Sequence, residues 1–353
     1  MSLLPAPTSL EDLAEQVRAT PRLLPVGAGT KPGLTAGVDC PRLPLTGLRG
    51  ITAYDPADFT LTALAGTPLA GINATIRAHH QALPFDPLFV ESGATLGGTV
   101  AANVNGPGRF ARGGLRDSVL GVTFIDGHGE RLTVGSRVVK NVAGFDLPKF
   151  FVGSLGRHGV LAELTLKLCP LPPTPVTLRL SVATEVELVE TMARLAASPA
   201  EPDAIDARLG DGSIHVRFVH GESARQAALI TAFGGEIVDN TFWSETTRFA
   251  WASPGDVWLK VPVGLARVGE LLALIRDREG VQVHLTAAGA AAWLSLPTQD
   301  TSTRQALTAA GFPSLQWRGS GPITAGLPPL SPVEQRVAAV LDPVNRFPPL
   351  PCG

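Results

Sequence analysis

The sequence predicts an α+β protein of two domains, and three observations point to it. Residues 91–170 form a glycine-dense segment that ends in a regularly alternating strand. A stiff run, Leu171-Pro172-Pro173-Thr174-Pro175, interrupts the chain near its middle; a cluster of prolines cannot continue a strand's interior, so it marks a linker. Beyond it, strands and helices alternate as in a ferredoxin-like layer of helices on a sheet. With 353 residues, 44% apolar and 17% charged, the chain is long enough for two cores. The expected division is 1–172 and 176–353, with the last helix returning to the first domain.

In order along the chain, Thr8 with Glu11 three residues later is a capping-box signature ahead of Leu10, Leu13 and Val17, which predicts a helix ending near Pro21. Residues 23–26 read as a strand feeding into Gly27-Ala28-Gly29-Thr30-Lys31. Such a loop is either a tight turn or a nest of N–H groups for a pyrophosphate, with Thr30 and Lys31 at hand. Pro32 in the third glycine position excludes the Rossmann fingerprint. Residues 51–65 alternate weakly. Thr67-Pro68 then supplies an N-cap and a first-turn proline for a helix carrying Leu69, Ile72 and Ile76 on one side. His79 and His80 fall at its end, where they complement the helix dipole. Residues 83–87 form a rigid loop leading to Gly93.

The segment ESGATLGGTVAANVNGPGR, residues 91–109, sets Gly93, Gly97, Gly98, Gly106 and Gly108 among small residues. Without a Cβ, glycine lets backbone N–H groups come close to a ligand such as a phosphate. Residues 118–125 and 130–134 predict a hairpin with His128 in its turn. Lys140, Asn141 and Asp146 lie near Gly144, either as a solvated loop or as part of a site. In 160–168, Val160, Ala162, Leu164, Leu166 and Leu168 alternate with Glu163, Thr165 and Lys167, predicting a strand with one buried face.

After the linker, strands are predicted at 177–182, 213–219, 236–239, 257–261 and 281–285. Helices are predicted at 184–197, capped by Thr184 and Glu187, and at 222–233. The final helix starts at Ser331-Pro332, with Glu334 at its third position, and is expected to bury Val333, Val337, Val340 and Leu341. No internal repeat emerges.

Composition narrows the function. A net charge of −2 gives no basic excess for nucleic acid. No run of about 18 apolar residues spans a bilayer, and the first 16 residues lack the pattern of a signal peptide, so a cytoplasmic location is expected. Cys40, Cys169 and Cys352 are isolated, too few and too scattered for an iron–sulfur cluster or structural zinc. Gly210-Asp211-Gly212-Ser213-Ile214-His215 superficially resembles a metal-binding G-D-G-N-x-H motif. Asp211-Gly212 reads instead as a hairpin turn before the alternating Ile214, Val216 and Phe218.

VGAGTK at 26–31, the 91–109 segment and KNVAGFDLPKFFVGSLGRHGVLAELTLK at 140–167 resemble, in order and spacing, FAD-binding domains of the vanillyl-alcohol-oxidase or PCMH type. With the tail LSPVEQRVAAVLDPVNRF at 330–347, they are similar to the FAD-binding E subunits of bacterial glycolate oxidase. The resemblance implies a PCMH-type domain of two α/β subdomains followed by a smaller ferredoxin-like α+β cap. It implies FAD, bound without a covalent link, because Ala28 and Thr30 stand in the first loop where a linking His or Cys would be needed. The implied contacts are Val26, Gly27, Ala28, Gly29, Thr30 and Lys31 in that loop. In the second they are Gly93, Ala94, Thr95, Gly97, Gly98, Ala102 and Asn103, with Gly113, Val119, Gly156, Gly159 and Val160 further on. Lys140, Asn141 and Asp146 match a pattern beside the cofactor.

The implied function is that of an accessory subunit of a glycolate oxidase complex, passing electrons between a D-type FAD subunit and an iron–sulfur subunit. No catalytic or metal-binding residue is assigned to this chain, and any membrane association is expected to be peripheral, through partners. Two alternatives stand beside it: a self-sufficient FAD-dependent D-2-hydroxyacid dehydrogenase using His215 or Lys140, and a structural subunit that holds no flavin. In Asp342-Pro343-Val344-Asn345-Arg346-Phe347-Pro348-Pro349 the tail lacks the glycine and the asparagine of the family's D-P-x-G-x-F-N-P-G-R pattern, Asn345 and Pro348 standing in their places, which puts its contact with flavin in question.

Overall fold

The structure, a computed structural model, describes residues 2–136, 146–219 and 230–350. In its first half the strands are β1 (Leu24–Val26), β2 (Arg42–Pro44), β3 (Ile51–Asp55), β4 (Thr60–Leu64), β5 (Gln81–Ala82), β6 (Val119–Ile125), β7 (Arg131–Gly135), β8 (Val160–Lys167) and β9 (Cys169–Pro170). Among the described residues β1 and β2 pair in parallel, β5 and β9 pair antiparallel, and the rest form an antiparallel sheet in the order β3-β4-β8-β6-β7. β8 lies at the centre of that sheet. It is therefore covered on both faces, with only Glu163 and Lys167 reaching solvent, rather than on one. Thr165 survives inside because its hydroxyl meets that of Thr62 at 2.9 Å.

The second half holds β10 (Val176–Ser181), β11 (Ala204–Arg208), β12 (Ser213–Phe218), β13 (Glu236–Val238), β14 (Val257–Pro262), β15 (Gln282–Thr286), β16 (Ala291–Leu296), β17 (Ser314–Arg318) and β18 (Thr324–Ala325). They form one sheet in the order β13-β10-β12-β11-β15-β16-β14-β17-β18. This is two ferredoxin-like units set edge to edge. The first four strands run 4-1-3-2 within their unit, the next four run 2-3-1-4, and β11 and β15 form the seam through the pairs Ala207↔Leu285 and Arg208↔His284. The repeat that the sequence hides is thus structural.

One face of this sheet packs on the helices Glu185–Ala196, Val268–Ile275 and Thr301–Ala309 through Leu188, Met192, Leu271, Ile275 and Leu307. The other face is polar and aromatic. Its Trp258, Trp293 and Trp317 join the core of the first half, where Phe89 stacks on Phe249 at 4.8 Å. An ionic cage also bridges the halves. Arg112 lies 3.0 Å from both Asp86 and Asp203, while Arg217 reaches Asp86 and donates through Nε to Asp203 at 2.7 Å.

Several local expectations shift. The first helix, Leu10–Ala19, is capped by Ser9, whose side chain accepts from the Asp12 N–H, one residue later than the Thr8 and Glu11 pattern. Thr67 does not cap Leu69–Arg77: its hydroxyl accepts from Gly50 N–H and donates to Leu64 O instead. The last helix, Pro332–Leu341, has the predicted capping box, but Val333 and Val340 are 50% and 75% exposed, and only Leu341 is buried. The tail beyond it docks on the first half. Gly127 N–H donates to Leu341 O at 2.7 Å, and Leu23 N–H donates to Arg346 O at 3.1 Å. Arg157 donates to Pro348 O at 2.8 Å. Lys140, Asn141 and Gly144 lie outside the described residues, as does most of the helix expected at 222–233.

Candidate cofactor site between two glycine loops

The two glycine loops meet. β1 ends at Val26 and delivers Gly27 against the start of the helix Leu96–Ala101. A Cβ on Gly27 would lie 2.5 Å from Thr95 Oγ1 and 3.6 Å from Gly98 Cα, so only a bare backbone fits there. Thr95 caps that helix, its hydroxyl accepting from Gly98 N–H at 3.3 Å. Gly97 serves packing: a Cβ there would strike the Ala65 side chain at 2.7 Å, and its N–H donates to Ala65 O. A third loop closes the site. Leu155 N–H donates to Ala101 O at 2.9 Å, and Gly156, at φ +71, sits against the Pro25 ring.

These loops enclose a cavity of about 470 Å³. Of the residues singled out from the sequence, Val26, Gly27, Ala28, Gly29, Thr30, Lys31, Thr95, Gly97, Gly98, Ala102 and Gly156 line it. The others do not. Gly93 and Ala94 precede the helix, and Ala94 O accepts from Leu69 N–H. Gly113 sits over Asp117, whose carboxylate accepts from Gly114 N–H. Val119 and Val160 are wholly buried in β6 and β8, while Gly159 gives way to Phe124 and Ile125 O. They build the sheet rather than the cavity. Asn103 stands just outside, in left-handed backbone at φ 48. Sequence reasoning missed Arg42, Thr46 and Leu155, which also line it, because nothing local marks the residues that a parallel strand pair brings alongside a loop.

Among the described residues the lining contains two cations, Lys31 and Arg42, and no acid, histidine or cysteine. Lys31 donates to Thr30 Oγ1 at 3.0 Å and has no carboxylate partner among the described residues. Burial pulls its ammonium down to about 8. Arg42 Nε is buried without a hydrogen-bond partner. A second deep lysine lies close by, on the cap. Lys260 of β14 donates to Asn103 O at 3.4 Å, and burial, then Arg109, brings it also to about 8. The two ammonium groups share one ring: Lys31 Nζ is 5.9 Å and Lys260 Nζ 5.8 Å from the centre of Trp317. A lone lysine in the apolar run Val257–Pro262 is the signal that the sequence did carry for it.

His215 belongs elsewhere. It lies in β12 after the tight turn at Gly212, its ring stacked 3.7 Å from Phe242. Burial, then Arg208 and Arg179, pull it down to about 4, so it is neutral. No group of three metal-ligating side chains occurs among the described residues.

Comparison with known proteins agrees with this geometry. Residues 2–135 match the FAD binding domain family. The chain is similar to the glycolate oxidase subunit GlcE of Escherichia coli (strain K12), 33% identical over 346 residues that cover 96% of this chain and 95% of that protein. It is 30% identical over 161 residues to the glycolate oxidase subunit GlcD of Bacillus subtilis (strain 168), covering 44% of this chain and 33% of that one. Its fold matches an alkyldihydroxyacetonephosphate synthase structure with a TM-score of 0.72 at 14% identity, covering 98% of this chain and 76% of that chain. A likeness to GlcE over nearly the whole of both chains, with an FAD binding domain around the glycine loops, means that this chain belongs to the glycolate oxidase subunit GlcE family of FAD-dependent oxidoreductases.

Proposed function

We propose that the chain is the FAD-holding accessory subunit of a glycolate-oxidising complex, passing electrons between a D-type FAD subunit and an iron–sulfur subunit. The observation that carries the cofactor part is the interlocked pair of glycine loops, lined by Lys31 and Arg42 and by no acid. The bare backbone at Gly27 and Gly98 admits a diphosphate, and the two cations meet its charge. Among the described residues the lining holds no histidine or cysteine, which supports a non-covalent hold. When bound, FAD supplies the electron-accepting ring system; the chain's own residues position it and exclude water. Partnership is supported by likeness to GlcE and GlcD, each named as a subunit. Glycolate as substrate is taken from the same names. We place the complex in the cytoplasm, with any membrane contact made through partners.

A second reading, a self-sufficient 2-hydroxyacid dehydrogenase, is favoured by one observation: Lys260, beside the cavity, meets no carboxylate among the described residues. Acid precipitation and anaerobic mixing separate the readings. FAD should leave the pellet, and glycolate or D-lactate should leave the isolated subunit's flavin oxidised until a D-type subunit and an iron–sulfur partner are added. Rapid bleaching by the isolated chain would overturn the accessory role, and a colourless protein after reconstitution would overturn FAD binding.

A further inference from the structure

Two largely desolvated ammonium groups lie within 5.9 Å of the Trp317 ring centre, and the cofactor accounts for only one of them. Lys31 lines the cavity, so a bound diphosphate would neutralise it. Lys260 does not line it. It projects from β14 on the polar face of the cap sheet, and its one hydrogen bond, to Asn103 O, neutralises nothing. Arg109, the charge that bears on it, is another cation. A deeply set ammonium without a counter-charge is costly in a folded protein, and this cost falls when an anion arrives. The surroundings restrict which anion. Lys260 Nζ lies 5.5 Å from the centre of Trp293 and 5.8 Å from that of Trp317, so flat apolar walls flank the charge. Trp317 Nε1, fully buried, is a second donor without a partner. One positive charge between aromatic walls suits a small monoanion.

We propose that Lys260 anchors the carboxylate of a small 2-hydroxy acid, or of its 2-oxo product, at the cap-side edge of the FAD cavity, beside Asn103. Asn103 follows directly on Ala102, which lines the cavity, so an anion held here lies next to the cofactor while leaving the diphosphate site alone. The assignment rests on the FAD reading and is indifferent to which subunit performs the oxidation.

The test uses the purified FAD-loaded protein, titrated anaerobically with glyoxylate and with glycolate and followed by tryptophan fluorescence, with flavin absorbance recorded in parallel. Wild type should give a saturable change with both acids. Lys260→Met should weaken it about tenfold or more, the usual worth of one charge-assisted hydrogen bond. Lys260→Arg should restore most of it, and glycolamide, which lacks the carboxylate charge, should bind no better to wild type than to Lys260→Met. Equal affinity in wild type and Lys260→Met, with both holding FAD, would overturn the assignment while leaving FAD binding intact. Loss of FAD from a folded Lys260→Met protein, folding being checked by circular dichroism, would overturn it by giving the lysine to the cofactor. A wild type that holds no FAD would instead overturn the reading on which the assignment rests.

Discussion

Lys31 and Lys260 carry charge where charge is poorly solvated, and that sets a pH signature. Burial lowers both from the ordinary 10.5 to about 8, with Arg109 adding to the effect at Lys260. Between those values the unfolded chain holds protons that the folded apo-protein has released, so apo stability rises with pH across that window. FAD affinity runs the other way. It requires the charged form of Lys31, so it should fall as pH climbs above about 8. Thermal midpoints of apo-protein and FAD dissociation constants measured from pH 7 to 10 check both signs. At Gly98, a valine would place its branches against Thr95 Oγ1, 3.0 Å from the first added carbon, on the cavity wall. Gly98→Val should lose FAD retention, whereas His215→Ala, whose ring stacks on Phe242 away from the cavity, should keep it; flavin-to-protein absorbance ratios decide. The glycine loops were legible in the sequence because glycine and strand patterning are local. Arg42 was not, and Lys260 stood out only as a lone lysine in an apolar strand, since the pairing or contact that brings each to the site lies in no window of sequence.

Among elements, the cage of Asp86, Arg112, Asp203 and Arg217 ties a loop of the first half to β12 and its neighbours. Burial alone would raise the Asp86 carboxyl, but Arg217 and Arg112 overcome it and hold it below the usual range. Removing one member leaves one charge of the cage in excess, which typically costs up to about 3–5 kcal/mol. Arg217→Met should lower stability by that amount in denaturant titration and Arg217→Lys by less. Since a depressed carboxylate contributes above its unfolded pKa, the cage's share should vanish as pH falls through the acid range below about 4. A change under about 0.5 kcal/mol for Arg217→Met would show that the cage is ornamental. Strand periodicity located β8 and the β6–β7 hairpin well. It misjudged how many faces of β8 are covered, because Thr165 reads as polar until Thr62 is placed opposite it. Valine spacing similarly suggested a buried stripe on Pro332–Leu341, yet amphipathic spacing says only which residues share a side, not that anything packs against them.

At the scale of the molecule, the proline linker and the alternation beyond it announced a second α+β layer, but not that it is doubled. The two ferredoxin-like units share topology without a matching sequence pattern, and β11, β16 and β17 were too short or too mixed to stand out. The tail spans the whole. Arg346 donates to Gly127 O at 2.7 Å and its carbonyl accepts from Leu23 N–H, immediately before β1, while Pro348 O accepts from Arg157 beside the third loop. Truncation after Leu341 should therefore weaken FAD retention although no tail residue lines the cavity, a loss readable as flavin released on gel filtration. Full retention would mean that β1 holds the first loop unaided.

That tail also bears on how the protein is made. The first loop is complete once residue 31 has been synthesised, but the strand that presents it gains its last support from a residue more than three hundred positions later. During translation the nascent first half can collapse around its sheet, yet its cofactor grip stays unlatched until the final stretch leaves the ribosome. Flavin loading should then be a late event of biogenesis, and a chain that stalls or is clipped near its end should emerge folded but with a weaker hold on flavin.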